Sequence, residues 1–209
     1  ATAAFYTLGC KVNQYETEAL IELFKDRGYE IVDFGDYADV YVINTCTVTN
    51  LGDRKSRQMI RKAKKMNPSS IVAVVGCYVQ VAPEKVKAIE EVNIIIGTDE
   101  RHRIAELIEQ YKEEQKNISL VKNIMKVKEF EELSVSKLEG RTRAYLKIQE
   151  GCNQFCSYCI IPYARGPVRS RKPENIINEV NKLVYNGFKE IVLTGIHVAS
   201  YGKDLGNIN

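Results

Sequence analysis

The sequence predicts an α/β protein whose first half is built on a parallel sheet. Short apolar segments alternate there with amphipathic segments of helical periodicity, a pattern typical of a parallel sheet with helices on both faces. Residues 71–75 (IVAVV) are entirely apolar, as expected for a strand without a solvent-facing side. Gly28 and Pro68 fall where two of the helical segments should end.

The elements of this half follow in chain order from the same patterns. Predicted strands cover residues 3–8, 29–33, 38–43, 71–75 and 92–96. Predicted helices cover residues 14–27, 53–67, 83–90 and 103–114. The third helix begins with Pro83, a residue that favours the first helical position. We therefore interpret residues 1–114 as one domain with a parallel, Rossmann-like sheet.

The pattern changes after residue 114. Residues 115–137 are polar and charge-mixed, and we interpret them as a linker that can contain a hairpin. A second strand–helix–strand unit is predicted within residues 138–209, with a strand over 143–150, a helix over 173–185 and a strand over 190–194.

Composition limits the classes of function. Hydrophobic residues make up 44% of the chain and charged residues 27%, which suits a globular protein, and the net charge of +3 permits an anionic partner without requiring one. No segment approaches the roughly 18 apolar residues of a membrane span, and the first residues lack signal-peptide features. We expect no membrane partner and a reducing cytoplasm, where six cysteines indicate metal or redox chemistry. Three disulfides in a secreted protein are the alternative.

Three of the cysteines, Cys152, Cys156 and Cys159, form a C-x3-C-x2-C motif directly after a predicted strand. Three thiolates this close can hold three corners of an iron–sulfur cube. Such clusters normally have four cysteine ligands, so this loop either borrows a distant ligand or leaves one iron open for chemistry.

The other three cysteines are far apart in sequence but share a position. Cys10, Cys46 and Cys77 each follow the end of a predicted parallel strand. Ligand sites in open α/β sheets gather at that edge, where neighbouring strands are about 4.8 Å apart. The pattern therefore favours a metal site over three buried core cysteines. Zinc is the competing metal, but it usually takes four protein ligands, and His102 and His197 are distant from these loops in sequence.

The first motif, with Tyr158 just before its last cysteine, resembles that of the radical S-adenosylmethionine enzymes. Its flanks through residue 171 are similar to those of the methylthiotransferases, as are residues 7–13, 44–49 and 75–78. Within that family, Leu-Gly-Cys-Lys-Val-Asn at 8–13 resembles the enzymes that act on threonylcarbamoyladenosine in tRNA. The isopentenyladenosine enzymes and the ribosomal-protein enzymes more often carry other residues there.

The resemblance implies a tRNA-modifying transferase that inserts a methylthio group at C2 of N6-threonylcarbamoyladenosine. Cys152, Cys156 and Cys159 would hold a [4Fe–4S] cluster whose open iron binds S-adenosylmethionine. Cys10, Cys46 and Cys77 would hold an auxiliary [4Fe–4S] cluster that delivers the sulfur. Tyr158 would pack against the adenine of S-adenosylmethionine or simply cover the cluster. A low-potential electron donor of the flavodoxin or ferredoxin type is a further expected partner.

The same resemblance assigns residues 138–209 to the first βα units of a partial TIM-type radical S-adenosylmethionine barrel. A complete eight-stranded barrel takes about 250 residues. We therefore expect the remaining barrel strands and the C-terminal TRAM domain of the family to lie outside this chain, and we expect turnover to require them.

Two basic groups are candidate tRNA contacts, because phosphate backbone is bound mainly by lysine and arginine. The first lies in the helix predicted over 53–67 and consists of Arg54, Lys55, Arg57, Arg61, Lys62, Lys64 and Lys65. The second follows the C-x3-C-x2-C loop and consists of Arg165, Arg169, Arg171 and Lys172. A solvated helix face is the alternative for the first group. An electron-transfer module and a zinc-stabilised RNA-binding protein are the remote alternatives for the whole chain.

Overall fold

The computed structural model of the chain describes residues 1–47, 50–135 and 142–206, and of Asn50 and Leu51 it describes only the backbone. The first unit contains the strands β1 (Thr2–Thr7), β2 (Glu30–Val32), β3 (Val40–Thr45), β4 (Ile71–Gly76), β5 (Ile94–Ile96) and β6 (Ile118–Leu120). They form one sheet in the order β2-β1-β3-β4-β5-β6, and every neighbouring pair is parallel. The predicted α/β class is confirmed.

Helices cover both faces of this sheet. They are α1 (Lys11–Asp26), α2 (Asn50–Met66), α3 (Cys77–Val81), α4 (Pro83–Lys87) and α5 (Ile104–Glu114). One core layer joins α1 and α5 to the sheet, and the other joins α2, α3 and α4 to it. In β4, Ala73 and Val75 belong to the first layer, whereas Val72 and Val74 belong to the second. This double burial explains why the strand is entirely apolar.

Residues 115–137 do more than link two units. Ile118 pairs in parallel with Ile94, so β6 becomes the edge strand of the first sheet rather than part of a hairpin. Ile118 and Leu120 pack on the first core layer, and this apolar contact accounts for a strand in a mostly polar segment. Further along, Leu133 and Val135 are buried against the second unit. The predicted boundary at residue 138 lies outside the described residues.

The second unit contains β7 (Arg143–Glu150), α6 (Ile161–Arg165), β8 (Arg169–Ser170), α7 (Pro173–Tyr185) and β9 (Glu190–Gly195). Its strands lie in the order β8-β7-β9, with β7 and β9 parallel and β8 antiparallel to β7. The connection from β7 through α7 to β9 is the βα repeat that the sequence predicts. Tyr15 and Ala19 of α1 pack on Leu146 and Ile148 of β7, so α1 lies between the two sheets.

Candidate metal centres

The loop with Cys152, Cys156 and Cys159 begins at the carboxyl end of β7. The amide of Cys152 donates to the carbonyl of Gly166 over 3.0 Å, and the amide of Cys159 donates to the carbonyl of Cys156 over 2.9 Å. Gly151 has a φ of +75°, and a Cβ there would lie 1.8 Å from the Pro167 carbonyl oxygen. Only glycine therefore fits at the entrance to the loop. Cys156 is exposed, and the other two cysteines are half-buried.

Aromatic side chains surround this loop. Tyr158 is 90% exposed, so in this structure its ring does not cover the cysteines. Phe155, in a left-handed backbone conformation with φ +47°, makes an edge-to-face contact with Tyr163 at 5.9 Å between ring centroids. The packing of Tyr158 on S-adenosylmethionine remains a prediction.

The second cysteine set gathers at one edge of the parallel sheet. Cys10 precedes α1, Cys46 follows β3, and Cys77 is the first residue after β4. The three strands before them, β1, β3 and β4, are direct neighbours. A Cβ built on Gly9 would lie 3.1 Å from the Cβ of Cys46, which shows how closely the first two loops approach. Burial increases along the set, from exposed Cys10 through half-buried Cys46 to buried Cys77.

Polar side chains hold these loops together. The side-chain amide of Asn13 donates to the backbone carbonyls of Leu8 (2.8 Å) and Thr45 (3.0 Å). The side-chain amide of Asn44 donates to the backbone carbonyl of Asn13 (3.0 Å). The Thr45 hydroxyl donates to the Val75 carbonyl over 2.7 Å. These hydrogen bonds stabilise the loops that carry the cysteines. The Asn13 oxygen lies 3.6 Å from the Cys10 sulfur.

The thiols suit an iron–sulfur cluster by their chemistry, because soft thiolates are its usual ligands. Cys10 lies at the start of the 16-residue helix α1. Burial raises the pKa of the Cys77 thiol, while the guanidinium of Arg165 opposes that shift. Among the described residues, no three Cys, His, Asp or Glu side chains are close enough to hold a single metal ion.

A buried charge network lies between the two units, and the sequence analysis missed it. Glu16 of α1 and Glu150 of β7 are its central carboxylates. They bind fully buried cations contributed by both units, namely Arg101, Lys147 and Arg165. One feature of the sequence indicates this network: Lys147 and Glu150 are charged residues within a strand whose other central residues are buried.

The three arginines of the second basic group have buried side chains. Arg165, Arg169 and Arg171 are 0%, 2% and 4% exposed, so their guanidinium groups cannot reach an RNA phosphate in this structure. Arg165 and Arg169 face Glu150, at 2.6 and 3.9 Å. Arg171 binds Glu132 and Glu179. Carboxylates thus occupy these guanidinium groups in this structure, and a contact of the three arginines with tRNA stays a prediction.

The first basic group divides into exposed and anchored residues. Arg54, Lys55, Arg61, Lys62 and Lys65 are exposed on α2. Arg57 donates to the Tyr78 hydroxyl over 3.0 Å, which fixes α2 beside the residue that follows Cys77. Lys64 donates to the carbonyls of Pro68 and Ser70, so it stabilises the end of the helix.

The histidines have local partners. His102 lies 3.3 Å from Glu131, whose hydrogen bond raises the pKa of the imidazole. His197 lies 2.6 Å from the Ser200 hydroxyl.

Comparison with known proteins assigns each unit to a class. Residues 2–97 match the model described as Uncharacterized protein family UPF0004, and residues 146–206 match the Radical SAM superfamily. The second match contains Cys152, Cys156 and Cys159, so the chain carries the start of a radical S-adenosylmethionine domain. Membership implies S-adenosylmethionine and a [4Fe–4S] cluster as cofactors.

Similar curated proteins identify the family. Threonylcarbamoyladenosine tRNA methylthiotransferase MtaB of Bacillus subtilis (strain 168) is 57% identical over 100% of this chain and 46% of that protein. The protein of the same name from Aquifex aeolicus (strain VF5) is 48% identical over 97% of the chain and 50% of its own length. The tRNA-2-methylthio-N(6)-dimethylallyladenosine synthase of Pelotomaculum thermopropionicum is 38% identical over 95% and 45%. The chain belongs to the radical S-adenosylmethionine methylthiotransferases.

The chain spans about half the length of the curated relatives that it matches. In the part of the chain that the structure describes, no helix is both long and apolar enough to cross a membrane.

Proposed function

We propose that this protein inserts a methylthio group at C2 of N6-threonylcarbamoyladenosine, next to the anticodon of tRNA. The observation that carries the proposal is the presence of two cysteine triads at the carboxyl ends of strands in two adjoining sheets. The first triad lies within the radical S-adenosylmethionine match, and the second lies within the other family match. The choice of substrate rests on the names of the relatives at 57% and 48% identity.

The residues have separate tasks in this proposal. The C2–H bond of adenine is inert to side-chain bases, so the difficult step needs a cofactor. When bound at Cys152, Cys156 and Cys159, a reduced cluster would supply the electron that cleaves S-adenosylmethionine. Cys10, Cys46 and Cys77 would hold the auxiliary cluster that carries the sulfur. The charge network between the units fixes the two cysteine sets relative to each other.

Analysis of tRNA nucleosides tests the substrate. Deletion of the gene should remove the 2-methylthio form of threonylcarbamoyladenosine and leave the unmethylthiolated nucleoside in its place, as measured by mass spectrometry of digested tRNA. The full-length gene should restore it, whereas a copy with Cys156→Ala should not, because that copy lacks one cluster ligand. Loss of the 2-methylthio form of isopentenyladenosine instead would identify the alternative substrate, for which the Pelotomaculum relative is named.

The exposed face of α2 is the proposed tRNA surface. Lys62→Glu/Lys65→Glu in the full-length protein should weaken tRNA binding, because both lysines are exposed on α2. This helix packs in the same core layer as α3, which begins at Cys77. Each phosphate contact that is lost lowers the slope of log K against log salt by about 1, so the double variant should flatten it by about 2. Filter binding at several salt concentrations measures both quantities.

A matched control is Lys25→Glu/Lys116→Glu. Both lysines are exposed; Lys25 lies in α1 and Lys116 follows α5, and these two helices cover the opposite face of the sheet. It has the same change in net charge, so it should alter the slope much less. An equal effect of the two variants would show that α2 does not contact the tRNA.

We place the reaction in the cytoplasm, with a low-potential flavodoxin or ferredoxin as electron donor. The chemistry supports the donor, since reductive cleavage of S-adenosylmethionine requires a strongly reducing cluster.

A further inference from the structure

The side chain of Arg165 reaches the auxiliary cysteine set. Its Nε donates to the sulfur of Cys77 over 3.1 Å, and its Nη2 donates to the Asn13 oxygen over 2.6 Å. Asn13 in turn lies 3.6 Å from the sulfur of Cys10. One guanidinium therefore contacts one cysteine of the auxiliary set directly and reaches a second through a single amide. A role at a cysteine sulfur was not predicted for this arginine.

Two carboxylates hold the plane of this guanidinium. The Nη1 of Arg165 lies 2.5 Å from Glu16 and 2.6 Å from Glu150, and the side chain is fully buried. The five N–H donors of arginine form a rigid planar fork that can satisfy all of these acceptors at once. Lysine retains the charge, but its compact ammonium cannot reproduce this set of directions.

The backbone next to Arg165 contacts the loop of the other cysteine set. Arg165 ends α6, the short helix after Cys159, and the carbonyl of the next residue, Gly166, accepts the Cys152 amide over 3.0 Å. Just before it, the carbonyl of Ala164 accepts the buried Thr98 hydroxyl over 2.6 Å. A shift of α6 would thus move the first triad and the contact with Cys77 together.

We propose that Arg165 is a positioning residue for the auxiliary cluster. Its guanidinium donates a hydrogen bond to the ligand sulfur of Cys77, and its backbone neighbour Gly166 binds the loop of Cys152. The inference rests on the proposed function, since it assumes that Cys10, Cys46 and Cys77 hold that cluster. Hydrogen bonds to ligand sulfurs set the reduction potential of iron–sulfur clusters. Outer-shell partners of this kind typically contribute about 10- to 100-fold to metal affinity.

The test isolates the auxiliary site in the full-length protein. A background with Cys152→Ala, Cys156→Ala and Cys159→Ala removes the first triad and leaves Cys10, Cys46 and Cys77 in place. In this background, Arg165→Lys should release iron to a chelator at roughly 10- to 100-fold lower chelator concentration, and it should shift the cluster's midpoint potential to a more negative value. Arg171→Lys is the matched control, because Arg171 is also buried and paired but binds Glu132, Glu179 and Tyr15.

The outcomes separate the two proposals. If the background protein holds no cluster, the auxiliary site itself is refuted and the inference fails with it. If the background protein holds a cluster and Arg165→Lys leaves chelator resistance and potential unchanged, only the role of Arg165 is overturned. Equal effects of Arg165→Lys and Arg171→Lys also overturn it, because the effect would then be a general loss of packing.

A second measurement keeps Arg165 in place, in case its substitution prevents folding. The background protein is labelled with ¹⁵N-arginine, and its reduced cluster is examined by pulsed electron paramagnetic resonance. A ¹⁵N hyperfine coupling is expected, since the Nε of Arg165 donates to the Cys77 sulfur over 3.1 Å. Absence of this coupling in cluster-loaded protein would overturn the inference.

Discussion

Cys77→Ala in the full-length protein should abolish methylthiolation of tRNA while preserving reductive cleavage of S-adenosylmethionine. The two cysteine sets lie at the edges of different sheets, and Cys77 belongs to the one outside the radical S-adenosylmethionine match. Loss of this buried ligand should therefore remove the auxiliary cluster alone. Iron content should fall from about eight to about four per chain, as expected for the loss of one of two four-iron clusters.

Cys152→Ala provides the complementary variant. It should lose both cleavage and methylthiolation, because its cysteine belongs to the loop proposed to bind S-adenosylmethionine. Chromatography of 5′-deoxyadenosine and mass spectrometry of tRNA nucleosides measure the two reactions, with dithionite as reductant so that the physiological donor is not needed. Normal methylthiolation by Cys77→Ala would refute the auxiliary site. Loss of cleavage in that variant would show that the two sites are not separable.

Periodicity predicted the long elements of the fold. The strand over 143–150 and the helix over 173–185 coincide with β7 and α7, because both have strong patterns and clear ends. Some of the short elements were missed, although α4, which also has 5 residues, was predicted from Pro83 at its start. Helices α3 and α6 have 5 residues each and β8 has 2, too few for any periodicity to appear. The strand β6 was missed because its apolar residues find their partners in a distant part of the chain.

The candidate site was also predicted only in part. Position at a strand end is a local property, so the sequence predicts that Cys10, Cys46 and Cys77 share one edge. The partner of a charged side chain is not local. The sequence suggests that Arg165 is a surface cation, yet its side chain is buried between the carboxylates of Glu16 and Glu150. Glu16 is 149 positions away along the chain, and Glu150 is 15 positions away. Only the packing of α1 against β7 brings those carboxylates together.

The charge network also predicts a large effect on stability. Glu150→Gln should lower the free energy of unfolding by about 3–5 kcal/mol, because removal of one partner leaves buried cations unpaired. Glu150 lies 2.8 Å from Lys147 and 2.6 Å from Arg165. Urea denaturation at pH 7 measures the change. Glu190→Gln is the control, since Glu190 pairs with Arg143 at an exposed site and should alter stability little.

The pH dependence distinguishes a charge effect from a packing effect. Burial alone would raise the pKa of Glu150, but Lys147, Arg165 and Arg101 hold it well below its usual range. Glu131 behaves likewise: burial opposes ionisation, yet Arg101 and His102 lower its pKa to about 2. A carboxyl with a lowered folded-state pKa stabilises the fold above its unfolded pKa, about 4.3, and this contribution is lost as pH falls through the folded pKa. The difference between the wild type and Glu150→Gln should therefore be full at pH 7 and shrink below about pH 4. A difference that stays constant down to acid pH would mean that Glu150 stabilises the fold by packing and not by its charge.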